Sequence, residues 1–156
     1  MKNTPTDSSA GVADTNIHGR EYYEIRTYSL ESEAQRERVE AYFETAAIPA
    51  MNRLGIDTVG VFTEMEPSAK PKLYVLIVYP SIGKFLSLAN GDLLGEGAYL
   101  SDAGSYLDTP KDLPAYERIQ SSLLVAFEGM PRISVPEAKT RIFELRQYES
   151  HSEAKA

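Results

Sequence analysis

The run Leu73 to Tyr79 is apolar or aromatic at every position, and it limits the possible folds more than any other part of the sequence. Its leucine, valine, isoleucine and tyrosine side chains favour a strand. A strand that is apolar on both faces has to be covered on both sides, so we expect it at the centre of a sheet. The run is also the longest apolar stretch, and it falls far short of the roughly 18 residues that span a bilayer.

Five further segments complete the predicted order of strands and helices. They are a strand at 22–29, a helix at 32–54, a strand at 57–63, a helical region at 81–107 and a strand at 116–127. Ser32 with Gln35 is typical of a capping box, Pro80 and Ser81 begin the second helical region, and Pro49 should kink or split the first helix. The β-α-β-β-α-β order predicts an α+β fold, a ferredoxin-like sandwich whose first and third strands are central.

Charge and composition exclude several classes of protein. The chain carries 16 Lys and Arg against 23 Asp and Glu, a formal net charge of −7. An acidic surface repels phosphate backbones, so nucleic acid is not an expected partner. The absence of cysteine excludes disulfides and thiolate metal sites. The two histidines, His18 and His151, belong to no histidine–carboxylate cluster, so we expect no metal and no cofactor.

The chain is predicted to contain one complete domain. Residues 1–20 are polar and lack the apolar stretch of a secretory signal, so they are predicted as a disordered lead-in. A cytoplasmic location is the default, and a periplasmic or secreted one would need a longer native N-terminus. Residues 21–130 are predicted as the ferredoxin-like domain, 131–140 as a linker and 141–156 as the first strand of a truncated second repeat. Without an apolar span, a membrane is not an expected partner.

The repeat is visible in two strand-like segments. Residues 23–28 and 143–148 share the pattern Glu-x-Arg-x-Tyr with an aliphatic residue between Glu and Arg. The copies lie at a constant offset of 120 residues, and one complete β-α-β-β-α-β unit lies between them. We interpret the pattern as a duplicated domain whose second copy stops after its first strand. The alternative is a chance match between two amphipathic strands.

At these residues the chain resembles the NIPSNAP family, and in particular its bacterial form with two tandem domains. The resemblance rests on the strand 23–28 and its copy 143–148, on Ile48-Pro49-Ala50 in the first helix and on Gly60-Val61-Phe62 in the second strand. It implies that the unit is half of an α+β barrel, paired with a second repeat or in a homodimer. It implies no particular reaction, although related barrels include cofactor-independent monooxygenases and small-molecule isomerases.

The polar residues of the first strand are the candidate site. Glu24, Arg26 and Tyr28 alternate with less polar residues, so they share one face of the strand. We expect this face to point away from the helices, toward the barrel interior, and the intervening residues to point toward the helices. Polar groups in such an interior need partners or a ligand.

Two interpretations of this cluster are open. In the functional one, Arg26 binds a carboxylate or enolate, Tyr28 donates a hydrogen bond or a proton, and Glu24 orients Arg26 or acts as a base. In the structural one, the same side chains form a stabilising Glu–Arg ladder with a packed tyrosine. The residues of the second copy fall under the same two interpretations: Glu144, Arg146 and Tyr148.

The expected role is the binding of a small organic anion in the barrel interior. The alternatives are a cofactor-independent enzyme of the monooxygenase or isomerase kind, and a protein-interaction module without a pocket. A pocket at the open face that holds Arg26 would favour binding or catalysis. A dry, packed interface at that face would favour the interaction module.

Overall fold

The computed structural model describes residues 19–66 and 68–152, and within them the chain forms an antiparallel sheet and a layer of helices. All but the last two residues of the predicted lead-in lie outside the described residues. The strands are β1 (Tyr22–Ser29), β2 (Thr58–Thr63), β3 (Lys72–Tyr79) and β4 (Arg118–Val125). The helices are α1 (Glu33–Tyr42), α2 (Ile48–Arg53), α3 (Ile82–Ala89), α4 (Asp92–Gly95) and α5 (Tyr99–Leu107), with a π-helical segment Phe43–Ala47 between α1 and α2.

The strands pair in the order β2-β3-β1-β4. β1 pairs along its whole length with β3 on one side and β4 on the other, so that Glu24 lies opposite both Ile77 and Leu123. With β1 and β3 in the centre, the predicted α+β ferredoxin-like arrangement is confirmed. β2 and β4 form the two edges, and the sheet is not closed into a barrel by the described part of the chain.

The first predicted helix is interrupted just before Pro49. Its start is as predicted: the Ser32 hydroxyl accepts the amide of Gln35 at 3.3 Å, and the Gln35 side-chain oxygen accepts the amide of Glu31 at 2.7 Å. Pro49 has no N–H to donate to the preceding turn. That turn widens into the π-helical segment, in which Ile48 donates to the carbonyl five residues back.

The second helical region is divided into three helices. Ser81 begins α3 as predicted, because its hydroxyl accepts the amide of Lys84 at 3.3 Å. Gly91 then adopts a φ of +97°, which favours glycine, and separates α3 from the short α4. α5 begins at Tyr99, because Glu96 is extended and its carboxylate accepts the amide of Tyr99 at 2.9 Å.

The helices cover one face of the sheet, which we call the inner face. β3 contributes alternate residues to it, and these are fully buried together with side chains of the helices and of the loop after α2: Leu73, Val75, Ile77 and Tyr79 with Val39, Phe43, Met51 and Ile56. Burial of an apolar side chain of this size contributes about 1.5–3 kcal/mol. The inner face is therefore the core of the domain.

The opposite, outer face carries the residues of the other parity. Tyr23, Ile25, Phe62 and Leu76 lie there and are only half-buried, and Leu124 is 44% exposed. No helix packs on this face within the described residues. The outer face therefore keeps an apolar surface that is open to solvent or to a partner.

The predicted strand at 141–148 is not formed. No helix or strand is present in residues 126–152, and no backbone hydrogen bond joins 141–148 to another described segment. Without a neighbouring strand its backbone has nothing to pair with, so the segment forms no strand and stays exposed. Its Phe143 ring contacts the Phe62 ring at a centroid distance of 4.9 Å, on the outer face. The domain duplication remains a prediction.

Candidate functional site

β1 turns Glu24, Arg26 and Tyr28 toward the helices, so the predicted orientation of this strand is wrong. The Tyr28 ring meets the Phe43 ring edge-on at 5.8 Å, and Glu24 is only 4% exposed. Alternation separates two sets of side chains but does not decide which set faces the helices. Burying the charged set is feasible because Glu24 and Arg26 neutralise each other. The candidate site therefore lies on the inner face.

The Glu24 carboxylate is fully engaged. Oε1 accepts from Arg26 Nε and from the Ser121 hydroxyl, each at 2.7 Å. Oε2 accepts from Arg26 Nη2 at 3.0 Å and from the Tyr79 hydroxyl at 2.7 Å. These four donors match the roughly four lone-pair positions of a carboxylate.

The ionisation of this network is fixed near neutral pH. Burial alone would raise the pKa of Glu24, but the hydrogen bond and charge of Arg26 outweigh it, helped by the Ser121 and Tyr79 hydroxyls, and the pKa is lowered. Burial, reinforced by the hydrogen bond to Glu24, raises the pKa of Tyr79. Glu24 is therefore an anion that accepts, and Tyr79 is a neutral phenol that donates.

Arg26 is held in place without being sealed from solvent. Nε and Nη2 form a bidentate pair with Glu24, yet 25% of the Arg26 side chain is exposed. Burial would lower the pKa of Arg26, but Glu24 raises it. Burial also raises the pKa of the neighbouring Tyr28, against the opposing effect of the Arg26 charge. The result is an oriented, permanently charged guanidinium beside a neutral phenol.

The helices leave the β4 side of the inner face uncovered. In the strand register Ser121 lies opposite Arg26, and Leu123 lies opposite Glu24. Leu123 and Val125 are 44% and 50% exposed, although they belong to the inner face. We call the strip formed by Arg26, Ser121, Leu123 and Val125 the inner margin. The inner margin therefore carries a charged guanidinium and apolar side chains.

Four more tyrosines continue from Tyr28 into the helix layer. Tyr116 meets Tyr28 edge-on at 5.7 Å, and Tyr106 stacks on Tyr42 at 3.8 Å. The hydroxyls of Tyr42 and Tyr99 share a hydrogen bond of 2.8 Å. Burial raises the pKa of Tyr42 and of Tyr106, so both are neutral. These rings contact one another and pack the edge of the core.

The candidate residues of the second copy, Glu144, Arg146 and Tyr148, do not lie near the Glu24 site. Glu144 and Arg146 form an ion pair of 2.7 Å, but both side chains are more than 60% exposed, and Tyr148 is 83% exposed. Their segment lies on the side of the outer face, whereas Glu24 and Arg26 are on the inner face. The structure therefore does not bring the two sets together.

Tyr79 and Ser121 complete the Glu24 site, and neither was predicted to belong to it. The contact of Tyr79 could have been predicted, because Tyr79 is the last residue of the apolar run of β3. Antiparallel pairing of β3 with β1 places this end of the run beside Glu24. Ser121 carries no comparable signal, since its contact depends on the exact pairing of β1 with β4.

Two kinds of feature are absent from residues 19–66 and 68–152. No group of three or more His, Cys, Asp and Glu side chains is arranged to hold a metal ion. No helix there is long and apolar enough to cross a membrane.

The sheet order and the one-sided helix layer define a ferredoxin-like α+β protein with a buried Glu–Arg pair on its first strand. The model of the NIPSNAP family matches residues 23–87, which confirms the resemblance to that family. The match includes Glu24, Arg26 and Tyr79, and it ends before Ser121 and the C-terminal segment. No match is found among curated proteins.

Three solved structures are similar to this chain. A NIPSNAP family protein of unknown function from Agrobacterium tumefaciens str. C58 is 20% identical, with a TM-score of 0.51 over 73% of this chain and 95% of that chain. A proposed antibiotic biosynthesis monooxygenase from Bacillus cereus is 12% identical, with a TM-score of 0.47 over 81% of this chain and 100% of that chain. A dimeric ferredoxin-like protein from an uncultured marine organism is 11% identical, with a TM-score of 0.46 over 73% of this chain and 94% of that chain. At 20% identity, the likeness to the Agrobacterium protein concerns the fold and not the activity.

Proposed function

We propose that this protein binds a small organic carboxylate at the inner margin, with Arg26 as the anion-binding residue. One observation carries the proposal: Glu24 fixes the Arg26 guanidinium from one side, while 25% of the Arg26 side chain is exposed beside the uncovered strand β4. A guanidinium whose orientation is already fixed loses little freedom when it binds a planar anion.

The surroundings of Arg26 favour a carboxylate that carries an apolar body. Glu24 cancels much of the Arg26 charge, so long-range attraction for a bare anion is weak. Affinity then depends on direct hydrogen bonds and on apolar contact. The exposed side chain of Leu123, two residue pairs along the strands from Arg26, offers such contact, and Val125 continues the apolar strip toward Tyr22.

The same geometry argues against Glu24 as a general base. A base has to reach its substrate with a free lone pair and a pKa near the working pH. Glu24 already accepts four hydrogen bonds, and its pKa is lowered. We therefore assign it the orienting role and favour binding over proton-transfer catalysis.

The test is a calorimetric titration with benzoate, phenylacetate, octanoate and acetate. Removing Arg26 alone would strand a buried Glu24, so the informative variant is the neutral pair Glu24→Gln with Arg26→Gln, checked for folding by circular dichroism. We expect the apolar carboxylates to bind more tightly than acetate, and the neutral pair to weaken them about tenfold or more. Arg36→Gln, on the exposed surface of α1, is the control. Equal binding by the folded neutral pair would contradict the proposal.

A second proposed role is pairing with another α+β unit through the outer face. The support is the half-buried ring of Tyr23 and the exposed side chain of Leu124, which lie opposite each other on that face. Two adjacent residues provide a matched test, because Leu123 and Leu124 are each 44% exposed and lie on opposite faces. In sedimentation velocity, we expect Leu124→Gln to weaken self-association and Leu123→Gln to leave it unchanged. Equal effects of the two substitutions would place the interface elsewhere.

A further inference from the structure

A cavity of about 420 Å³ lies on the outer face, beneath the C-terminal segment. Six apolar or aromatic side chains dominate its lining: Ile25, Phe62, Tyr74 and Leu76 from the sheet, and Phe143 and Leu145 from the segment. This volume falls within the range of about 300–1,000 Å³ that is usual for small-molecule sites. The cavity is on the opposite side of the sheet from Arg26.

The wall of the cavity is shaped by Gly60 and Phe62. The Phe62 ring lies over Gly60, where a Cβ would come within 2.6 Å of the Phe62 ring. In this position the ring meets Phe143 at 4.9 Å, with the ring planes inclined at 62°. The segment is thus seated by an aromatic contact that closes one side of the cavity.

The charges around the cavity distinguish between possible ligands. Glu64 and Glu144 are the charged residues among those that line it, and no Lys, Arg or His is among them. Glu64 accepts the backbone amide of Lys72 at 3.1 Å, and Glu144 pairs with Arg146 at 2.7 Å. Together with the net charge of −7, two carboxylates at an apolar cavity disfavour an anion and tolerate an ammonium group.

We propose that this cavity binds a small hydrophobic molecule that is uncharged or carries an ammonium group. The lining supplies aromatic and aliphatic contact, and the Tyr74 side chain adds a hydroxyl group for a polar substituent. The site is separate from the inner margin and has the opposite charge preference. It therefore does not depend on carboxylate binding by Arg26.

Two fluorescent probes with nearly the same ring system test the proposal. N-phenylnaphthylamine is uncharged, and anilinonaphthalenesulfonate adds a sulfonate to it. We expect saturable binding of the uncharged probe and at least about tenfold weaker binding of the sulfonate. Phe143→Ala should weaken the uncharged probe about two- to tenfold, because it removes one wall of the cavity. Phe127→Ala, a 68% exposed phenylalanine outside the lining, is the matched control.

Three results would overturn the proposal. The first is unchanged affinity of the uncharged probe in Phe143→Ala, which is expected to fold because Phe143 is 57% exposed and lies outside every helix and strand. The second is equal or tighter binding of the sulfonate. The third is loss of the probe in step with self-association, which would make a second copy of the chain the occupant of this face. The neutral Glu24 and Arg26 variant should keep its probe affinity, so failure at one site is distinguished from failure at the other.

Discussion

Glu24 and Arg26, two residues apart on β1, form a bidentate ion pair beneath the helix layer, with Nε and Oε1 2.7 Å apart. The strand period of two places both side chains on one face, so the strand brings its own counter-charge into the core. Removing two charges from water is costly unless further hydrogen bonds complete the pair. The hydroxyls of Tyr79 and Ser121 supply those bonds.

Glu24→Gln should destabilise the fold strongly. The substitution leaves Arg26 largely buried without its anion, which we expect to cost about 2–4 kcal/mol in the free energy of unfolding. Urea unfolding at neutral pH measures this cost. Glu33→Gln is the control, because Glu33 pairs with Arg36 on the exposed surface of α1 and should matter little. Equal midpoints for the two variants would contradict the importance of the buried pair.

The Glu24 carboxylate should also make stability depend on pH in one direction. Its pKa is lower in the folded protein than in the unfolded chain. Its contribution is therefore complete above the unfolded pKa of about 4.3 and is lost as the pH falls through the folded pKa. Between pH 7 and about pH 3, wild type should lose more stability than Glu24→Gln. Parallel curves for the two proteins would rule out this linkage.

Tyr79→Phe isolates one hydrogen bond of the network. The substitution removes the donor 2.7 Å from Glu24 Oε2 and keeps the ring that meets Phe85 at 5.4 Å. We expect a loss of about 1–2 kcal/mol, since the bond is to a buried charged group. Tyr74→Phe, on the outer face of the same strand, should be nearly neutral in the same denaturation experiment. A neutral Tyr79→Phe would mean that water replaces the lost donor.

The two serine caps offer a comparison between a buried and an exposed helix start. Both hydroxyls accept an amide at 3.3 Å, but Ser81 is 3% exposed whereas Ser32 is exposed. Without its cap, the amide of Lys84 has poorer access to water than the amide of Gln35. We expect Ser81→Ala to cost about 1–2 kcal/mol and Ser32→Ala about 0.5–1 kcal/mol, as measured by thermal and urea unfolding. The reverse order would show that burial does not set the cost.

Alanine should have opposite effects at two glycines. At Gly60 a Cβ would overlap the Phe62 ring, so Gly60→Ala should displace that ring and cost about 1 kcal/mol. At Gly104, inside α5, a Cβ meets nothing within 4 Å, and Gly104→Ala should stabilise by up to about 1 kcal/mol. Thermal unfolding measures whether each substitution raises or lowers the stability. Stabilisation by Gly60→Ala would mean that the ring moves aside freely.

The sequence predicted the architecture well because its signals are local. The apolar run of β3, the alternation of β1 and the caps at Ser32 and Ser81 each act over a few residues, and the structure confirms them. Two things were not predictable in this way. The face that β1 presents to the helices depends on the packing of Tyr28 against Phe43. Likewise, the contact of Ser121 with Glu24 depends on strand register across a separation of 97 residues.

The strand-like pattern at 143–148 is a further case in which local sequence did not determine the structure. Its sequence favours a strand as strongly as β1 does, but a strand exists only where a neighbour completes its hydrogen bonds. The described residues offer no such neighbour. The strand propensity of these residues therefore predicted a strand, but the absence of a neighbouring strand determined the conformation that is observed.

The bond between Arg146 and Glu144 forms at 2.7 Å even though their segment belongs to no sheet. Pairing in a sheet is thus not needed to bring the two opposite charges of this motif together. During folding, β1 would accordingly enter the nascent core with its charges already matched. The dehydration barrier to docking that strand would be lower than for two ions that meet only after burial.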